Sequence, residues 1–425
     1  MKIFLACLVA VLVPSMLPAQ ESFNDYFTEG AFRFDYLLSG TNNSVRVTEV
    51  QQKKEPYFGG KLKLQVEDQL LGNYSFNIKD FATQKIIYRQ GFSPLFQEWQ
   101  TTAEAKKKEK SFYQVLRFPF PRQKVIVEIA CRNRDGEFKN IYSTVVDPTD
   151  YFVLHESPLK SDYVTLLKSG NPSQKVDVAI LAEGYQKEEL GKFVKDASRL
   201  LDSLFLVEPF ASQKDKFNFY AVETVSSESG TDIPGRNIYV NTLFNSTFYT
   251  FNIARYLTTT DLKSVFDQAA VVPYDYVIVL VNSNEYGGGG FCNNVCVCTA
   301  GHALAANVFI HEFGHEFAGL GDEYYTSEVA YEDYYNLKVE PWEPNLTTLV
   351  NFKSKWGSLV DPATPVPTPR TTKYANKTGV FEGGGYMNKG IYSPMQDCRM
   401  KSNKPNYFCP VCQRAILKAI QRCTE

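Results

Sequence analysis

Residues 303–325 read ALAANVFIHEFGHEFAGLGDEYY, and the rest of the chain is best understood outward from this stretch. The run 303–310 is strongly apolar, which predicts a buried helix crossing the centre of a domain. On that helix His311 and His315 stand one turn apart on one face, because side chains four apart are neighbours. Glu312 leans to the edge of the same face. Two neutral imidazoles so placed supply two corners of a zinc tetrahedron, and the carboxylate beside them reaches the open corner, where a bound water loses a proton near neutral pH. His311 and His315 are therefore expected to ligate one catalytic zinc ion (Zn2+), with Glu312 as general base. Gly319 and Gly321 fall where the helix should stop and the chain turn back. Asp322 is the expected third ligand, with Glu323, Glu328 and Glu332 as alternatives. His302 lies nearly opposite His311 on an ideal helix and reads as a core or capping histidine.

Upstream, the pattern is α/β. A buried strand over 176–182 is followed by an amphipathic helix over 187–206, then strands over 217–225 and 276–281. Gly287 to Gly290 come next. No GK[ST] follows them and no GxGxxG spacing fits, so a nucleotide partner is excluded; they read as a turn, or as room for a substrate strand to approach the sheet edge. After the histidine helix, Tyr324, Tyr325, Tyr331, Tyr334 and Tyr335 crowd a segment leading into a loop-rich stretch that ends near Pro369. Such loops commonly wall a cleft. Tyr392 is a candidate phenol for stabilising an oxyanion.

Residues 20–150 differ in texture. Short alternating, aromatic-rich segments at 62–66, 73–78 and 124–129, punctuated by Gly59-Gly60, Gly72-Asn73 and Asp135-Gly136, predict antiparallel strands in a sandwich, with a helix around 99–110. Turn formers concentrate from Asp147 to Pro172. A chain of 425 residues exceeds the size of one core, roughly 250–300 residues. The expected architecture is thus α+β in two domains: an all-β, sandwich-like accessory domain over 20–160 and an α/β zinc domain over 161–425.

Residues 1–19 carry Lys2, an apolar run over 3–13 and the small-residue end Leu17-Pro18-Ala19, the pattern of an export signal cleaved after Ala19. The run is well short of the ~20 residues that a membrane span needs. Export predicts disulfides among Cys131, Cys292, Cys296, Cys298, Cys398, Cys409, Cys412 and Cys423, an even set. Cys409-Pro410-Val411-Cys412 has the form of half a structural zinc site or a redox pair, but no second CxxC and no spare histidine accompany it. A net charge of −2 with 22% charged residues offers nothing to nucleic acid. The basic run 106–110 reads as a solvated face.

The stretch HEFGHEFAGLGDEYY (311–325) resembles the zinc helix of the IgA-peptidase-like metallopeptidases, secreted bacterial zinc endopeptidases of the metzincin type. VDVAILAEGY (176–185), VIVLVNSNEYGGGGF (277–291) and GGGYMNKGIYSPMQDCRM (383–400) are similar to segments of that family in the same order, so the resemblance covers about 170–425. The N-terminal part resembles the sandwich-like domain that often precedes the peptidase. The resemblance implies a metzincin-like fold, a protein or peptide substrate cut at internal bonds, and a methionine in a tight turn beneath the zinc, for which Met400 matches better than Met395. Two positions depart from the common pattern: Ala318 and Gly321 stand where a glycine and a third histidine are usual, and the carboxylate Asp322 comes one residue later. An inactive relative serving as a binding module for host or glycan surfaces, or an amidase acting on cell-wall material, are the alternative readings; an intact Glu312 counts against the first.

Overall fold

Val176–Glu183 and Tyr276–Val281 are almost wholly apolar and buried along their full length, the signature of strands covered on both faces. In the computed structural model, which describes residues 22–157, 159–325 and 335–424, they are the central strands of a six-stranded sheet. The expected export signal, Glu328, Glu332, Tyr331 and Tyr334 lie outside the described residues.

The N-terminal region contains a helical turn α1 (Phe23–Tyr26), strands β1 (Phe27–Thr41), β2 (Ser44–Glu55), β3 (Gln65–Val66), β4 (Tyr74–Asp80) and β5 (Ile86–Phe92), and a helix α2 (Leu95–Gln100). It continues through β6 (Lys110–Pro121), β7 (Val125–Arg132) and β8 (Phe138–Val146). These form a three-stranded sheet, β2-β1-β6, and a five-stranded sheet, β3-β5-β4-β7-β8. Phe34, Tyr36 and Leu38 of β1 share one core with Tyr74, Phe76 and Ile78 of β4 and Val127 and Ile129 of β7, so the two sheets pack as a sandwich. The β3–β5 pair is parallel rather than antiparallel. The helix expected around 99–110 is also shorter and earlier: α2 ends at Gln100, turns follow, and Lys110 already opens β6. A run of lysines with no apolar stripe has no face to bury and repels itself at helical spacing.

The second region runs β9 (Tyr163–Lys168), β10 (Val176–Glu183), α3 (Leu190–Leu204), β11 (Phe217–Val222), α4 (Leu262–Ala269), β12 (Tyr276–Val281), β13 (Gly288–Gly290), β14 (Cys296–Thr299) and α5 (Ala305–Ala318). It closes with α6 (Phe352–Lys355), β15 (Phe381–Gly384), β16 (Met387–Ser393) and α7 (Pro410–Thr424). Sheet order is β13-β14-β12-β10-β11-β9. The inner strands run parallel, and β13 and β9 are antiparallel edges. Alternate residues divide the sheet's burial. Val178, Ile180, Ile278 and Leu280 face α3, α5 and α7 in one core. Ala179, Leu181, Val277 and Val279 face α4 and a core continuous with the sandwich.

The two regions are also joined by buried charge. Arg33 of β1 is fully buried, grips Asp35 through Nε at 2.7 Å and Nη2 at 2.8 Å, and reaches Asp267 of α4 at 2.7 Å. Arg117 of β6 pairs with Glu55 at 2.6 Å and lies 3.7 Å above the ring of Tyr274, whose carbonyl it also meets. Buried guanidinium groups are tolerable only when paired and hydrogen-bonded in this way. The disulfide expectation is not met: all eight described cysteines are free thiols, and the sulfurs of Cys409 and Cys412 stand 3.4 Å apart, well beyond the ~2.05 Å of a bond.

A second pair of acids sits at the start of the central strands. Asp177 accepts from Asn218 and Tyr220, and Asp275 accepts from the Asp177 amide. Burial pushes Asp177 up to about 7, and burial with the neighbouring Asp177 pushes Asp275 up to about 8. Carboxyls raised above their unfolded values stabilise the fold while protonated, and that contribution disappears as pH rises through the folded values. The melting temperature is therefore expected to fall as pH rises from the ordinary carboxylate range of about 4 to the folded values near about 8, and to gain no further slope from these groups above that. Asp177→Asn should flatten that slope, and thermal unfolding across the range measures it.

Candidate metal centre and cleft

Helix α5 ends where its sequence requires. Gly319 takes the left-handed conformation (φ 61°), its amide meets the His315 carbonyl and the Leu320 amide meets the Gly314 carbonyl, closing a Schellman turn. The chain then doubles back through Gly321 to Asp322. Asn345, fully buried, holds this return: its Oδ1 accepts from the Gly321 amide at 2.7 Å, and its Nδ2 donates to the Gly321 carbonyl at 2.8 Å and to Glu323 at 3.0 Å.

Three donor atoms meet as a result. His311 Nε2 and His315 Nε2 are 3.0 Å apart, and Asp322 Oδ1 lies 3.0 Å from the first and 3.3 Å from the second. Each ring's other nitrogen is committed: His311 Nδ1 faces the Arg399 carbonyl at 3.0 Å and His315 Nδ1 the Leu320 carbonyl at 2.5 Å. A nitrogen facing a carbonyl must carry the proton, so both Nε2 atoms present lone pairs to each other. Asp322 Oδ1 is buried and has no hydrogen-bond donor among the described residues. Left to protons alone, burial opposes charge on His315, but Asp322 outweighs it and the imidazole is pushed up to about 9. Asp322 is held well below the usual carboxylate range, the two imidazoles outweighing its burial. The three donors thus call for a positive charge at one point, and spacings of 3.0–3.3 Å fit the edges of a tetrahedron with bonds of roughly 2.0–2.1 Å.

Glu312 lies on the same cleft wall, and burial pushes its carboxyl up against the opposing pull of the imidazoles. The cleft holds about 510 Å³ and is lined by His311, Glu312, His315 and Asp322 together with Arg255, Tyr286, Tyr324 and Tyr386. Ser93 and Glu98 of the N-terminal region also line it, and Glu98 accepts from the Tyr256 hydroxyl. Met400 is fully buried against α5: a Cβ built on Gly314 would sit 3.0 Å from its sulfur. The turn carrying Met400 also supplies the Arg399 carbonyl to His311.

Other expectations change. Tyr392 does not line the cleft: it lies in β16 opposite Glu382, which sets the direction of its phenol, and its backbone bonds to Thr347. Tyr386 is the tyrosine at the centre, its hydroxyl donating to Asp322 Oδ2 at 2.5 Å, and Tyr324 stacks beside His311 at 6.3 Å. Nothing in the local sequence separates Tyr386 from the neighbouring tyrosines; the contact comes from the hairpin of β15 and β16 folding back, with the Gly385 amide on the Asp322 carbonyl. His302 stays apart from the donors, accepting from the Leu304 amide at 3.1 Å at the start of the helix. Glu323 turns away from the histidine pair. The glycines 287–290 line the cleft, but the room they leave is used by the protein itself: a Cβ on Gly290 would meet the Glu312 carbonyl at 2.2 Å, and one on Gly289 the Leu257 carbonyl at 2.9 Å.

A mixed α/β core whose central helix presents two imidazoles, met at one point by a carboxylate from the return that follows it, belongs with metal-dependent hydrolytic enzymes in its chemistry. Comparison with known proteins narrows this. The family described as IgA Peptidase M64 matches residues 164–374 and 370–420, and the Peptidase M64 N-terminus matches residues 22–143. The chain belongs to the IgA peptidase M64 family, a family of metallopeptidases, and carries its N-terminal domain. No curated protein matches the chain. A crystal structure of a polysaccharide deacetylase from Bacillus cereus is matched at 10% identity over 60% of either chain, under two thirds of its length, with a TM-score of 0.10.

The glycine packing makes a differential prediction. Gly290→Ala forces β13 off the α5 backbone and is expected to cost roughly 1–3 kcal/mol or more, the usual range for overpacking. Gly288→Ala meets side chains rather than backbone, those of Glu312 and Val308, each at 2.8 Å, and should cost less. Denaturant unfolding of the two variants gives the comparison.

Proposed function

We propose that this protein is an exported, zinc-dependent endopeptidase with a metzincin-like catalytic domain over 161–425 and a sandwich-like accessory domain over 20–160. His311, His315 and Asp322 would hold the ion, and Met400 would support the helix from beneath. The observation that carries this reading is the meeting of two imidazole lone pairs and an orphaned carboxylate oxygen within 3.3 Å, beside a carboxylate on the same helix. The export reading rests on residues 1–19.

When bound, zinc supplies Lewis acidity toward the scissile carbonyl and makes water a better nucleophile. The chain supplies the rest. Glu312 takes a proton from the attacking water and hands it to the leaving amine; its partial burial favours the protonated form that the second transfer needs. Arg255, tied to Tyr324, brings a fixed positive charge to the same cleft for the developing oxyanion, the role first expected of Tyr392. The N-terminal region contributes Ser93 and Glu98 to the wall that a bound peptide would meet.

Glu312→Gln should lower cleavage of a denatured protein substrate by roughly 10²-fold or more while bound zinc, measured by elemental analysis, is unchanged. Wild-type turnover by that variant, or by chelated enzyme, would sink the reading. Tyr386→Phe removes the donor to Asp322 Oδ2 and is expected to weaken metal affinity roughly 10–100-fold in competition with a chromogenic chelator.

A further inference from the structure

Beyond the histidine cleft, a second group of metal-ligating side chains lies wholly inside the protein. Glu323, Cys398, Cys409 and Cys412 are each fully buried, and one donor atom from each lies within 4.8 Å of all the others. The Cys409 and Cys412 sulfurs are 3.4 Å apart, those of Cys398 and Cys412 are 3.9 Å apart, and Cys412 Sγ is 3.4 Å from Glu323 Oε1. A tetrahedron with Zn–S bonds near 2.3 Å has sulfur-to-sulfur edges of roughly 3.8 Å. The spacing is that of ligands sharing an ion.

Local chemistry agrees. The Cys409 amide points at Cys398 Sγ at 3.2 Å and the Cys412 amide at Cys409 Sγ at 3.5 Å, so the CxxC turn at the start of α7 aims backbone donors at sulfur, as thiolates require. Three thiols cannot all pair, so any disulfide here would leave one sulfur buried beside a carboxylate. That carboxylate is the second, independent observation. Among the described residues, Glu323 Oε1 receives the Asn345 amide and the weak Cys412 contact, and Oε2 is buried with no hydrogen-bond partner. Lys401 gives its ammonium to the Glu323 carbonyl at 3.1 Å, not to a carboxylate oxygen. An ionised carboxylate so buried needs a cation.

We propose that Glu323, Cys398, Cys409 and Cys412 bind a second, structural zinc ion. Thiolate with carboxylate in a closed four-donor set suits zinc, and the full burial of all four groups suits a structural rather than a catalytic role. The ion would join three segments: the return after α5, the turn before Met400 and the start of α7. It would also act on the cleft. Glu323 follows Asp322 directly, its amide bonds to the Met400 carbonyl at 2.8 Å, and Arg399, next to Cys398, supplies the carbonyl that orients His311. The ligands of the second ion are thus the chain neighbours of groups that set the first, and the proposal does not depend on what the cleft hydrolyses.

The full chain, purified without added reductant, is expected to hold two zinc ions by elemental analysis. The His311→Ala/His315→Ala variant should keep one. Exchanged with cobalt, that variant should show thiolate-to-cobalt charge-transfer absorption, which a site of imidazole and carboxylate lacks. Cys412→Ser should lose this absorption and one ion; if it does not fold, the double histidine variant decides alone. A double histidine variant without metal, a cobalt spectrum without the sulfur band, iron in place of zinc, or a disulfide among these cysteines in the unreduced chain by mass spectrometry would each overturn the proposal.

Discussion

Two imidazole lone pairs and a carboxylate oxygen held within 3.3 Å of one another repel unless something positive joins them. Much of the surrounding architecture keeps these atoms from moving apart. The Schellman turn at Gly319 and the Asn345 bonds force the chain back to deliver Asp322, and the Arg399 and Leu320 carbonyls fix both rings. Tyr386 holds the remaining Asp322 oxygen. Freezing so many groups around mutually repelling donors costs conformational entropy and desolvation, which the sheet and helices beneath must offset.

The offset comes from a sheet covered on both sides. Its two cores meet different parts of the molecule, so α5 is pressed against the strands from one face while the N-terminal sandwich closes the other. The glycine strand β13 then lets α5 and the Tyr256–Leu257 segment approach closely, leaving Glu312 at the cleft wall without slack. Contacts such as the Ser93 amide on the Cys292 carbonyl and the Asn293 side chain on the Gly91 carbonyl dock the sandwich beside that edge. The accessory region is therefore part of the cleft's wall as well as a neighbour to it.

Between Tyr335 and Phe408 the chain has little regular structure among the described residues: one short hairpin and a few helical turns. Loops of this length usually need a fastening from outside their own hydrogen bonds. Lys355, donating to the Pro341, Glu343 and Leu346 carbonyls, is one such device, and the Trp356 indole on the Gly379 carbonyl is another. The cysteine and glutamate cluster stands at the base of the same segment.

The spacing of His311, Glu312 and His315, the glycine stop and Asp322 were legible in the chain because each depends on helix geometry within one turn or on a turn directly following. The buried strands were equally plain, since parallel strands with two covered faces need continuous apolar runs. What could not be read was every partnership across long separation. Tyr386 reaches Asp322, Tyr392, the candidate for the oxyanion, stands outside the cleft lining, Asn345 fastens the return, Ser93 and Glu98 enter the cleft, and Glu323 turns toward three cysteines expected to form disulfides. Those pairings follow from how loops without periodicity pack against a finished core, and no local pattern in the residues encodes them.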